Sequence, residues 1–175
     1  MKKGLVYWAL ALMVICGICV SACKKNAGEP ELIRAFALDS LEGLITQTGV
    51  EFDPQISADG KGSIKIVAAE PVTMRLFETG DLEVEDARLI YQARLRSENL
   101  EGKAYLEMWC NFPGKGEFFS RGLQDTISGT MNWMSAETPF LLKKGENPDN
   151  VKLNLVIEGK GTVWIDEVKL LKGRL

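Results

Sequence analysis

Apolar residues recur at every second position through several stretches of the chain, the period of a strand with one face in a core. From Ala87 to Ser97, Leu89, Tyr91, Ala93 and Leu95 share one side, and Arg88, Ile90, Gln92, Arg94 and Arg96 share the other. From Lys103 to Phe112, an inward set of Ala104, Leu106, Met108, Cys110 and Phe112 alternates with Lys103, Tyr105, Glu107, Trp109 and Asn111. Shorter runs at Ser63 to Ala68 and Val72 to Phe77 repeat the pattern, with Pro71 between them at a turn or an edge. The last run, Val151 to Leu171, reads as a hairpin joined through Gly159-Lys160-Gly161. Its first half alternates cleanly. In its second half Trp164, Asp166, Val168 and Leu170 take one parity while Val163 and Ile165 take the other, so a bulge is expected near Asp166.

The remaining elements are shorter. Leu32 to Leu44 reads as a strand or irregular opening, with Phe36 to Leu44 as the candidate strand. Gly43 and the run Ile45-Thr46-Gln47-Thr48 oppose a long helix there. Asp53-Pro54, Ser57 to Gly62, Gly80-Asp81, Pro113 to Gly116 and Lys144 to Asn150 mark turns. Glu117 to Gly122, Thr130 to Met134 and Thr138 to Lys143 read as strands, and Leu123 to Gly129 as a loop. About eight short antiparallel strands between turns predict an all-β fold, a β-sandwich.

The end of the chain, with the run from Gly161 to Val168, resembles the final strands of carbohydrate-binding modules of the galactose-binding-like jelly-roll type. The strand around Arg88 to Arg96, the strand at 102–109 and the segment from Thr130 to Trp133 follow the order those modules use, so the resemblance covers roughly Ser63 to Leu171. It implies a jelly-roll sandwich. It does not name a ligand, because one fold hosts sugar binders, protein binders and accessory domains alike.

Residues 1–22 change the address of that domain. Lys2 and Lys3 precede an apolar run from Leu5 to Val20 and the ending Val20-Ser21-Ala22-Cys23. A charged start, a short apolar core and small residues before the break describe a secretory signal, too short for a stable membrane span. The ending resembles a bacterial lipobox, which implies cleavage before Cys23 and lipidation (palmitate) of Cys23 itself. Residues 23–31 are polar, carry Gly28 and Pro30, and read as a flexible tether reaching roughly 15–20 Å. The domain proper is then residues 32–175, held at a membrane of the bacterial cell envelope. Lys24 stands where enteric-type sorting would need Asp for retention, so that sorting would place the protein at the outer membrane.

Loss of the signal leaves 153 of the 175 residues, the size of one ordinary domain. It also leaves 19 Lys and Arg against 24 Asp and Glu, an acidic balance that opposes nucleic acid as a partner. The chain holds no histidine, which excludes Ser-His-Asp and Cys-His nucleophiles and imidazole-ligated zinc. Cys110 is the one thiol past the signal and the lipobox; its parity makes it a small buried hydrophobe, with an intermolecular disulfide as the alternative.

Candidate chemistry lies on the polar side of the strands. Tyr105 and Trp109 share a face with Glu107 between them, about 13–14 Å apart by strand rise. In the resembling modules, rings stack on sugar faces while polar groups bond hydroxyls. That resemblance implies a saccharide site at Tyr105, Glu107 and Trp109, with Arg88, Gln92 and Arg94 completing a polar shelf. The opposing reading has Tyr105 and Trp109 covered by another strand or by the N-terminal segment. Trp133 and Trp164 read as packing residues. Several such modules carry a structural calcium, and the resemblance implies Asp166 and Glu42 as its ligands; a solvated acid beside a bulge is the alternative for Asp166. No second carboxylate is placed opposite Glu107, so a hydrolytic pair is not indicated and the protein reads as non-catalytic. The rival class is a structural or scaffolding lipoprotein whose sheet face binds a protein partner of the envelope.

Overall fold

The computed structural model describes residues 28–175. The signal sequence, Cys23 and most of the tether lie outside the described residues. Eight antiparallel strands are present among the described residues: β1 (Glu31–Phe36), β2 (Val50–Asp53), β3 (Ser63–Ala68), β4 (Val72–Thr79), β5 (Ala87–Phe112), β6 (Gly116–Arg121), β7 (Ile127–Leu142) and β8 (Asn150–Gly173). The expected all-β sandwich is present, and the organisation of its strands differs from the sequence reading in one large respect.

The two longest strands, β5 and β8, pair with one another almost from end to end, from Arg88 opposite Gly173 to Asn111 opposite Asn150. The expected hairpin at 151–171 is therefore one strand. Likewise 87–97 and 103–112 belong to one strand, as do 130–134 and 138–143, and the expected loop at 123–129 ends where β7 begins at Ile127. Gly159 and Gly161 do not turn the chain back. They let the β5–β8 ribbon bend, because a Cβ at Gly159 would lie 1.8 Å from the Glu101 carbonyl oxygen and one at Gly161 2.6 Å from that of Asn99. Gly102, opposite Gly159, has a positive φ of 106°, and an extra residue of β5 is accommodated between Glu98 and Glu101.

The bend divides the ribbon between two sheets. In the first, β2 and β3, together with β1, flank the C-terminal half of β8, followed by the N-terminal half of β5 and then β7. In the second, β4 borders the N-terminal half of β8, followed by the C-terminal half of β5 and β6. Rings join the two layers: Phe36 of β1 stacks on Phe77 of β4 at 4.4 Å, and Phe112 meets Phe140 of β7 at 5.9 Å. Between the sheets, Leu89, Tyr91 and Leu95 share one core with Leu106, Met108, Leu153, Leu155 and Ile165. Each such apolar side chain contributes roughly 1.5–3 kcal/mol of transfer free energy.

The expected bulge in the last strand is present at Glu167, whose φ is 50°. Gln92 faces Lys169 and Arg94 faces Asp166, so β8 holds one extra residue there. The parity switch turns Val163 and Ile165 inward before it, and Val168 and Leu170 after it, and all four are buried. One other expectation is corrected. The opening strand is Glu31–Phe36, and the segment from 37 to 49 is irregular; there Ile45 and Thr46 donate their N–H groups to the carbonyls of Leu76 and Arg75 along the edge of β4. Strand β2, four residues long, had no alternation long enough to register.

Candidate functional site

The outer face of the second sheet is built from alternate residues of four strands. Arg75 of β4 pairs with Asn154 of β8, Asn154 with Glu107 of β5, and Glu107 with Arg121 of β6. On one side of this polar row lie Lys152, Trp109 and Phe119; on the other lie Thr73, Val156 and Tyr105. A groove of about 340 Å³ opens here, lined by Thr73, Tyr105, Glu107, Trp109, Arg121 and Glu158 among others.

Glu107 is 5% exposed and holds three donors. Its Oε1 accepts from Trp109 Nε1 at 2.7 Å and from Asn154 Nδ2 at 3.2 Å, and its Oε2 from Arg121 Nε at 2.7 Å. Burial pushes its carboxyl up, but the bonds from Trp109, Arg121 and Asn154 outweigh that and hold it below the usual glutamate range. The Trp109 ring, half-buried, lies 5.0 Å from Phe119 at a 45° tilt, and the Arg121 guanidinium sits 4.6 Å over the same phenyl ring. Tyr105 donates its hydroxyl to Glu158 at 2.7 Å; burial and that bond push the phenol up to about 12. Glu158 is lowered by the Tyr105 hydroxyl and by Lys103, 3.2 Å away. Both carboxyls are thus ionised near neutral pH, which suits hydrogen bonding and not the donation of a proton to a leaving group.

Of the expected shelf, the structure brings together Tyr105, Glu107 and Trp109 and leaves Arg88, Gln92 and Arg94 elsewhere. The bend at Gly102 puts those three in the first sheet, whose outer face points to the other side of the sandwich. There Gln92 Nε2 donates to Glu137 at 3.3 Å and Arg94 Nη2 to the Trp133 carbonyl at 3.2 Å. Tyr105 itself is buried beside the groove, as the covered reading has it, while Trp109 keeps part of its ring open. Arg121, Asn154 and Glu158, which were not singled out from the sequence, complete the site together with Phe119. The alternation of Lys152, Asn154, Val156 and Glu158 opposite Leu153, Leu155 and Ile157 was the available signal for the β8 members. Trp164, 4% exposed, bonds Asp53 at 3.0 Å through Nε1 and is a packing residue; Trp133 is only half-buried. Cys110 is buried in the core, and burial pushes its thiol up to about 12.

Asp166 and Glu42 do not fit one calcium ion. Glu42 is exposed and lines a hollow with Phe36, Ile45 and Phe77, whereas Asp166 borders another with Asp59 and Lys61. Both Asp166 oxygens already face donors: Ala58 N at 2.8 Å and Ser57 Oγ at 3.3 Å on one, Glu167 N at 2.7 Å on the other. No group of three potential metal-ligating side chains occurs among the described residues. Asp166 fits a lock between the 57–58 turn and the β8 bulge. Asp166→Ala is expected to cost about 1–3 kcal/mol by orphaning these donors, equally in calcium and in chelator. A melting loss seen only with calcium present would restore the metal.

Neither a protein-family model nor a curated protein matches the sequence. Solved structures do. The CBM22-1 xylan-binding domain from Paenibacillus barcinonensis Xyn10C aligns with a TM-score of 0.59 at 12% identity, over 86% of this chain and 99% of that one. The CBM22-1 and GH10 modules of Clostridium thermocellum endo-1,4-beta-D-xylanase 10B, solved with xylohexaose, align with a TM-score of 0.60 at 8% identity, over 81% of this chain but only 28% of that one. The family 16 carbohydrate-binding module-2 aligns with a TM-score of 0.57 at 11% identity, over 80% of this chain and 99% of that one. The fold is that of β-sandwich carbohydrate-binding modules. At these identities the likeness concerns the fold and leaves the site to be argued from its own residues.

Proposed function

We propose that this protein is a non-catalytic glycan-binding module, held to the bacterial envelope by lipid on Cys23, that takes a glycan chain in the groove of the second sheet. The observation that carries the reading is the Glu107 hub. It fixes a partly open Trp109 ring beside Phe119 and holds Arg121, which lines the groove, through its Nε, so a ring and a guanidinium meet at one place. The fold neighbours that bind xylan support it. The anchor rests on the lipobox-like Val20 to Cys23, and palmitate label persisting on a Cys23→Ala chain would rule it out.

Trp109→Ala tests the groove. Losing a ring contact of about 1.4 kcal/mol lowers affinity about tenfold for any glycan that the chain binds on an array. Stability should fall by about 1–2 kcal/mol, less than for a core tryptophan, because the ring is half-buried. Unchanged affinity removes the groove as the site. Binding to no glycan, with an envelope protein crosslinked at Trp109, would make the protein a scaffold instead.

A further inference from the structure

On the other side of the sandwich, the outer face of the first sheet carries two guanidiniums that the groove does not use. Arg94 and Arg96 stand two residues apart on β5, about 7 Å by strand rise. Arg94 reaches only the Trp133 carbonyl, at 3.2 Å, and Arg96 only Asn132 Oδ1, at 3.4 Å, both neutral acceptors. Neither makes an ion pair among the described residues, and the Nε–H of each is buried with no acceptor. Arg96 lies over the Trp164 ring at 5.6 Å, and Lys65 of β3 stands opposite Trp164, so a cation, a ring and a cation line up across three strands.

The carboxylates nearby are already committed. Asp166, opposite Arg94, is held by Ala58, Ser57 and Glu167; Asp53 is held by Trp164, Gln55 and Ile56; Glu51 pairs with Lys65 at 3.5 Å. Glu98, two residues beyond Arg96, is exposed and bonds neither arginine. The arginine in the groove, by contrast, has its acid within 2.7 Å. Two adjacent, half-buried guanidiniums without an ion pair suit planar oxyanions through their outer nitrogens, and the half-buried Trp133 indole suits a sugar ring.

We propose that this face is a second binding site, specific for an acidic glycan whose sugar residues carry carboxylates, with Arg94 and Arg96 on the carboxylates and Trp133 beside them. It stands independently of the groove. Titration calorimetry on the full chain tests it with tri-galacturonic acid and its fully methyl-esterified form, which differ in charge and little in shape. The acid is expected to bind at least about tenfold more tightly than the ester and to weaken steadily from about 50 to about 500 mM salt. The Arg94→Gln, Arg96→Gln double variant should lose that binding about tenfold or more while keeping a cooperative melt. Lysines at both positions, which keep charge but lose the fork, should fall between. Trp109→Ala should leave it within about twofold. Equal affinity for acid and ester, no binding of the acid, or loss on Trp109→Ala would overturn the assignment. Displacement by inorganic phosphate at matched ionic strength would overturn the carboxylate in favour of a phosphate-bearing ligand.

Discussion

Gly159→Ala is expected to cost the domain about 3 kcal/mol or more, although the change adds one methyl group. A Cβ there would stand 1.8 Å from the carbonyl oxygen of Glu101 and 3.1 Å from the Gly102 Cα. Both obstacles are backbone in a paired strand, so no rotamer change relieves the overlap, and the ribbon itself must part. Because β5 and β8 are the strands common to both sheets, parting them at the bend disturbs the packing of Leu89 and Leu95 against Leu106 and Leu155 together. Gly28→Ala, where nothing lies within 4 Å, is the control and should be neutral. Denaturant curves on the three chains decide it. A Gly159→Ala midpoint equal to that of the parent would mean that the strands do not cross in contact there.

That bend is also why the sequence showed the parts of the sandwich better than their connection. Alternation identified the buried faces of 87–97 and 103–112, because inward Leu and Met against outward Arg and Glu is a local signal. It also located the Glu167 bulge, since the parity of Val163 and Ile165 conflicts with that of Val168 and Leu170 within one strand. A glycine pair, however, signals either a turn or a close approach of two backbones. The choice depends on what lies opposite, and Gly102 lies 57 positions away. The same blindness to register separated the site. Tyr105, Glu107 and Trp109 share a strand and were legible, but Arg121 and Asn154 become partners of Glu107 only through pairing with β6 and β8. Arg88, Gln92 and Arg94 lie on the polar side of the same strand as Tyr105, Glu107 and Trp109, and still face the opposite side of the sandwich, because the strand changes sheets between them.

Glu107→Ala should remove glycan binding below detection and cost about 2–3 kcal/mol of stability. Three donors lose one acceptor: Trp109 Nε1, Asn154 Nδ2 and Arg121 Nε. Each buried orphan costs about 1–3 kcal/mol, but the Arg121 side chain is 43% exposed and recovers water, so the sum is discounted. Binding suffers more than stability, since the ring and the guanidinium are released together. Glu107→Gln separates charge from shape: its oxygen can keep Trp109 and Asn154, while its amide turns a donor toward the Arg121 donor, so affinity should fall between the parent and the alanine variant. The charge also sets a pH dependence. Net hydrogen bonding holds the Glu107 carboxyl below its ordinary 4.5 against the pull of burial, so its contribution is complete above that value and is lost as pH falls through the lower folded-state value. The stability gap between parent and Glu107→Gln should therefore be constant through neutral pH and narrow only as pH falls below the ordinary 4.5. A gap of the same size down to strongly acidic pH would show that the ionised carboxylate is not what organises the groove.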